Sequence, residues 1–177
     1  MSLDRGPWIM TYTGIHFYFL DPYPDEICIE DIAHALSMQC RFGGHSRNFY
    51  SVAEHSYYVS MFSPWGYKKA GLLHDASEAY LVDIPRPIKH SVNMSGYRAI
   101  EDKLQKTIDH KFSVDSKTVK QWDREVFSHE VLALMKHPEQ YANVPELKIS
   151  PIHISGWLPN YAEEMFLERY KELCQNQ

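Results

Sequence analysis

Apolar residues recur at three- and four-residue spacing along most of this chain, and prolines or glycine pairs interrupt the pattern, so the chain can bury its apolar surface only as a set of packed helices. Ile29, Ile32, Ala33, Leu36 and Cys40 form the first stripe, which ends at Arg41-Phe42-Gly43-Gly44-His45. Ser51 and Glu54 make a capping box, a hydroxyl that accepts an early backbone N–H and a carboxylate that reaches back. The helix it opens carries Val52, His55, Val59 and Phe62 and stops at Pro64. Further helices are expected from Tyr67 to Tyr80 and from Ser95 to Lys111, the latter with Tyr97, Ile100, Leu104 and Ile108 inward. Another begins at Asp115 or Ser116, carries Val119, Trp122, Asp123, Val126, Phe127, Glu130 and Leu134, and closes at His137-Pro138. Pro159 suits a first helical position and opens the last, with Ala162, Met165, Phe166, Arg169 and Leu173 on one face.

Two stretches escape that period. Tyr12 to Leu20 mixes β-branched and aromatic residues and reads as a short strand or extended arm. Glu139 to Trp157 has no period and reads as a long loop of the kind that covers a site. The first ten residues read as a loose N-terminal arm. The expectation is one all-α domain over residues 1–177, a compact bundle of about six to seven helices.

With 177 residues, 44% hydrophobic and 23% charged, the chain has ordinary globular composition, which excludes disorder. Its 18 Lys and Arg against 23 Asp and Glu leave −5, with no basic run, so no nucleic-acid polymer is expected as partner. The longest uncharged stretch, Gly6 to Leu20, is shorter and more polar than the roughly 20 apolar residues a bilayer needs, and no membrane association is expected. No basic leader with an apolar core opens the chain, and Cys28, Cys40 and Cys174 are odd in number and scattered; together these features suggest a reduced, cytoplasmic protein.

Three helices place an ionisable group on an apolar stripe: His55, the pair His74-Asp75, and Asp123. Singly, each has a plain explanation: a hydrogen-bonded core histidine, a common dipeptide, a carboxylate paired with a distant cation. Convergence of two imidazoles and two carboxylates explains all three at once. That donor set suits a divalent transition metal, or Mg²⁺ less comfortably, with positions left for water and substrate. The other histidines (His16, His34, His90, His110, His129, His137, His153) form no such pattern.

The order His55, His74-Asp75, Asp123 resembles the H…HD…D signature of the HD-domain metal-dependent phosphohydrolases. SVAEHS (Ser51–Ser56), LLHDASEA (Leu72–Ala79) and DIPRPIK (Asp83–Lys89) resemble the 5′-deoxynucleotidase branch of that superfamily, and RFGGH (Arg41–His45) resembles a motif of its small phage and bacterial members. The similarity runs from about Ile29 to Glu130. It implies an HD-domain helical bundle and one divalent metal ion (Mn, Co, Fe, Ni, Zn or Mg) held by His55, His74, Asp75 and Asp123.

The resemblance further implies catalytic roles for Asp75, Glu78 and Arg41, and substrate contacts from Arg41, Phe42, His45 and Asp83. Arg41 has the planar fork that suits phosphate oxygens. Phe42 would face the nucleoside, Asp83 would accept from a deoxyribose 3′-hydroxyl, and Glu78 would orient water. Simpler roles stay open: an exposed helix glutamate for Glu78, a surface ion pair for Arg41, core packing for Phe42, a turn for Asp83, a loop for His45. Glu130, two turns after Asp123, either supports the ligands from behind or belongs to a buried ion pair. The implied reaction removes the 5′-phosphate of deoxynucleoside monophosphates. The alternatives are a triphosphohydrolase releasing tripolyphosphate from a dNTP, a phosphodiesterase on a cyclic or alarmone nucleotide, and a non-catalytic nucleotide-binding module. Aromatic surface around Tyr12 and Tyr18 leaves room for a homodimer contact.

Overall fold

A computed structural model describes residues 5–141 and 152–175. In chain order the helices are α1 (Ile29–Met38), α2 (Val52–Phe62), α3 (Lys68–Leu73), α4 (Glu78–Leu81), α5 (Arg86–Lys89), α6 (Ser95–Phe112), α7 (Lys120–Leu134) and α8 (Pro159–Gln175), joined in places by single 3₁₀ turns. Among the described residues the fold is all-α apart from two two-residue strands, as the helical spacing predicts. No helix among the described residues is long and apolar enough to cross a membrane.

The N-terminal segment departs from expectation. β1 (Ile9–Met10) pairs antiparallel with β2 (His16–Phe17), Ile9 opposite Phe17, so the strand expected over Tyr12 to Leu20 is a hairpin that begins earlier. Gly14, at φ 87°, allows its turn. Residues 5–10 are not a loose arm: Arg5 pairs with Glu26 and its guanidinium lies over the rings of Tyr18 and Tyr23. Phe17 then enters the core beside Tyr80. Residues 1–4 lie outside the described residues, as does 142–151, the middle of the expected loop from Glu139 to Trp157.

α2 is the central helix, packed on α1, α3, α7 and α8. It therefore buries polar residues that a surface helix would expose, among them Glu54, His55, Ser56 and Ser60. Its closest neighbour is α3, and Gly71 permits the approach: a Cβ there would sit 3.0 Å from Ser60 Cα and from the Val59 carbonyl oxygen. The capping box is only half made. Ser51 Oγ accepts from the Glu54 N–H at 3.0 Å, but the Glu54 carboxylate turns away and accepts from Trp157 N–H at 2.7 Å, tying the chain before α8 to α2.

The helix expected from Tyr67 to Tyr80 is also broken. α3 ends at Leu73, residues 74–77 form a turn, and α4 restarts at Glu78. The cause comes from α6: the Gln105 amide donates to Leu73 O (3.0 Å) and accepts from Ser77 N–H (3.0 Å), so it occupies the place of the helical bond between those two groups. The turn closes instead by bonds of three-residue spacing, Ala76 to Leu73 and Glu78 to Asp75.

Candidate metal centre

α2, the turn after α3, and the first turn of α7 bring His55, His74, Asp75 and Asp123 together. His55, His74 and Asp75 each offer a ligand atom within 4.8 Å of the others. His55 Nε2 lies 3.2 Å from His74 Nε2 and 3.6 Å from Asp75 Oδ2. Asp123 Oδ1 reaches the same two nitrogens at 3.2 and 3.8 Å. The group is asymmetric: His55 is fully buried and His74 nearly so, while the Asp75 and Asp123 side chains are 23% and 32% exposed and open toward solvent. Asp123 is thus less buried than its place on the apolar stripe suggests.

The imidazoles are held from behind. His74 Nδ1 lies 2.8 Å from Gly71 O, which can only accept, so Nδ1 carries the hydrogen. His55 Nδ1 lies 2.5 Å from Glu130 Oε1. Glu130 is fully buried; it also accepts from Tyr50 Oη at 2.9 Å and from Arg41 Nη2 at 3.1 Å. Burial pushes its carboxyl up, but Arg41 and then His55 overcome this and hold it below the usual range, hence ionised and accepting. With both Nδ1 atoms donating, Nε2 of each ring faces the other ring and the two carboxylates: protonated, it donates to them, and deprotonated, it offers its lone pair to a cation. α7 therefore brackets His55, with Glu130 at Nδ1 and Asp123 at Nε2.

Such a group favours positive charge at its centre. Burial alone lowers the basicity of His74, yet Asp75 and Asp123 more than reverse it and hold the ring well above its ordinary value. Asp123 is shifted the other way: burial raises its carboxyl, and hydrogen bonds from His55 and His74 pull it well below the usual range. Two lone-pair nitrogens and two anionic oxygens at these separations fit a divalent cation, and the residues present could hold one.

Around this group the structure arranges the other sequence-derived candidates unevenly. Arg41 joins it directly, with Nη1 3.6 Å from Asp75 Oδ2, while its buried Nε has no hydrogen-bond partner. The chain enters Arg41 through a bond from its N–H to Tyr50 O, beside the bridge between Cys40 and Ser51. Phe42, at φ 59°, packs against the cluster of Tyr50, Val131, Leu134 and Met135, so core packing is part of its role. Gly43 lies against Pro85, so the Arg41–Gly44 turn abuts the segment that carries Asp83.

Glu78 is buried rather than an exposed helix residue; Lys89 Nζ bonds its Oε1 at 2.8 Å, and its Oε2 is buried without a partner. Burial, then Asp75 and Asp83, push its carboxyl well above the ordinary range. Asp83 is half-buried, and its backbone N–H donates to Gln39 Oε1. His45 is exposed and lines a cavity of about 460 Å³ with Met135, Lys136, His137, Gln140 and Tyr141; none of the four candidate ligands lines it. Of the remaining histidines, His34 pairs with Glu163 at 3.0 Å and stacks on Tyr12.

Sequence reasoning missed Gln39, Lys89, Tyr50 and Gln105, whose roles depend on residues far off in the chain. The one available signal was Lys89, inside the quoted DIPRPIK motif. Gln105 yields a direct expectation. In Gln105→Leu, Leu73 O and Ser77 N–H are free to pair, α3 runs into α4, and the His74-Asp75 turn rotates. Affinity for Mn²⁺, measured by calorimetry, should fall about 10-fold, as for other supports of metal ligands. Unchanged affinity would show that the broken helix does not set the ligands.

An all-α bundle whose central helix, one interhelical turn and a third helix converge two histidines and two aspartates is, as a class, a helical protein with a candidate divalent-metal centre. No protein-family model matches the chain. It is 34% identical over 175 residues to the uncharacterized protein YfdR of Escherichia coli, covering 95% of this chain and 96% of that protein. It is 30% identical over 157 residues to an uncharacterized protein of Rhodobacter capsulatus, covering 84% of this chain and 80% of that one. The chain belongs to the same family as YfdR.

Proposed function

We propose that this protein is an HD-domain metal-dependent phosphohydrolase that removes the 5′-phosphate of deoxynucleoside monophosphates. The observation that carries the reading is the meeting of His55, His74, Asp75 and Asp123 with Arg41 at their edge, in the order of the H…HD…D signature. A divalent cation held by those four side chains supplies Lewis acidity, polarising a phosphoryl oxygen and making water more acidic at neutral pH.

The chain's own residues supply the rest. Arg41, charged and held by Glu130, has an unpartnered Nε–H and only a long contact from Nη1 to Asp75, which a phosphate can replace. Glu78, fixed by Lys89 through one oxygen, keeps the other free to orient water or hold a proton. Phe42, within the Arg41 turn, and the half-buried Asp83, on the segment that turn abuts, are an aromatic ring and a carboxylate acceptor of the kinds a nucleoside base and a sugar hydroxyl take.

The test is a product assay on protein stripped by chelator and reloaded with Mn²⁺ or Co²⁺, screened on deoxynucleoside mono- and triphosphates. Orthophosphate from monophosphates is expected, reduced at least about 100-fold in His74→Ala and in Asp123→Ala. Tripolyphosphate from a dNTP would transfer the site to triphosphohydrolysis. Tight nucleotide binding with no turnover under any metal would overturn the hydrolase reading.

A further inference from the structure

We propose that Gln39, the residue closing α1, is a positioning residue that sets Asp83 against Glu78 and so gives the site its selectivity for a sugar 3′-hydroxyl; this rests on the phosphohydrolase reading above. One side-chain amide joins the two residues. Gln39 Nε2 donates to the Glu78 carbonyl at 3.0 Å, and Gln39 Oε1 accepts from the Asp83 N–H at 2.9 Å. The same residue's carbonyl accepts from Val52 N–H at 3.1 Å, so Gln39 ties this pair to the start of α2, three residues before His55.

The bridged turn carries one bond of its own, from Val82 N–H to Glu78 O at 2.8 Å. Between its ends Val82 sits at φ 74° and ψ 141°, a left-handed backbone that a β-branched residue seldom adopts. Bonds from outside keep it there: Gln39 from α1, and Tyr97 Oη from α6, which donates to Leu81 O and Val82 O at 3.2 and 2.7 Å. Only Gln39 among these grips the backbone of Asp83, so it fixes the main chain from which that carboxylate projects. Tyr97 fastens the turn through the Leu81 and Val82 carbonyls, with no hydrogen bond to Asp83 or Glu78 among the described residues.

A hydroxyl-reading carboxylate discriminates only if it is already placed when substrate arrives; a mobile one is rehydrated when the hydroxyl is missing and loses little. The wild-type protein should therefore prefer a 2′-deoxynucleoside 5′-monophosphate over its 2′,3′-dideoxy analogue by about 10- to 100-fold in kcat/KM. In Gln39→Met, which keeps the side chain's length but neither bond, the preference should fall below about 3-fold, with the larger loss on the hydroxylated substrate. Calorimetric Kd values for the 2′-deoxy and 2′,3′-dideoxy nucleosides should converge in parallel, while Mn²⁺ affinity stays as in wild type.

Gln39→Asn, one methylene shorter and able to keep one bond, should lie between, and it carries the test if Gln39→Met does not fold. Tyr97→Phe should lower the melting temperature and keep the preference. A selective wild type with an equally selective Gln39→Met and Gln39→Asn overturns the role of Gln39 alone. A wild type that hydrolyses both substrates equally overturns the role of Asp83 and Gln39 but not the reaction. A wild type that hydrolyses no nucleotide overturns the underlying reading as well.

Discussion

Replacing Glu130 with alanine is expected to destabilise the protein by about 3–5 kcal/mol, because removing one partner leaves a buried charge without compensation. Glu130 is fully buried and meets three side chains: Arg41, His55 and Tyr50. Of its two ion pairs Arg41 would keep the longer one, to the half-buried Asp75, and the buried Tyr50 hydroxyl would lose its acceptor. His55 would lose the bond that fixes its ring and leaves Nε2 as the ligand atom. Glu130→Gln keeps the shape and one acceptor oxygen, so it should cost less stability, yet Mn²⁺ affinity should still fall about 10- to 100-fold. Urea unfolding and calorimetric Mn²⁺ titration of both variants separate the two effects. A loss below about 1 kcal/mol in Glu130→Ala would mean that the network is not a structural support.

The second large effect is stabilisation by metal. A ligand that binds only the folded state stabilises it by about 2.7 kcal/mol at one hundred times its dissociation constant. For a chain of this size that is a rise of about 5–10 °C in melting temperature. Mn²⁺ or Co²⁺ should produce it, EDTA should reverse it, and both His74→Ala and Asp123→Ala should remove most of it. The expectation follows from the donor set: Asp75 and Asp123 draw positive charge onto the imidazoles, so a divalent cation relieves carboxylate repulsion that the folded chain otherwise balances with protons. If no first-row divalent cation shifts the melting temperature, the centre is a proton-bridged polar cluster and the hydrolase reading loses its basis.

The helices were legible where one residue's neighbours in sequence decide its conformation. The stripes at α1, α2, α6, α7 and α8 match the expected segments, and Pro64 and Pro159 bound α2 and α8 as their chemistry requires. Legibility failed at α3–α4, where Leu72 to Ala79 carries good helix formers but Gln105, distant in sequence, takes the hydrogen bond that would have continued the helix. It failed again at Glu54, whose spacing from Ser51 signals a capping box while its carboxylate serves Trp157. The hairpin at Ile9–Phe17 was displaced for the same kind of reason: Arg5 and its partners anchor a segment whose local signal is weak.

For the candidate centre, the sequence by itself determined which residues were out of place. A histidine or aspartate on an apolar stripe is a local anomaly, and His55, His74, Asp75 and Asp123 are visible as such without coordinates. Their convergence, the ring nitrogen each histidine presents, and the residues that hold them were decided only by the tertiary structure. Gly71 O, Glu130 and Tyr50 act across helix contacts, and Gln39 and Gln105 act through amides that bridge backbone groups of other elements. The physical reason is range: periodicity records which face of a helix leaves water, whereas a hydrogen bond within the core depends on two elements meeting to within about 3 Å, which no local pattern encodes.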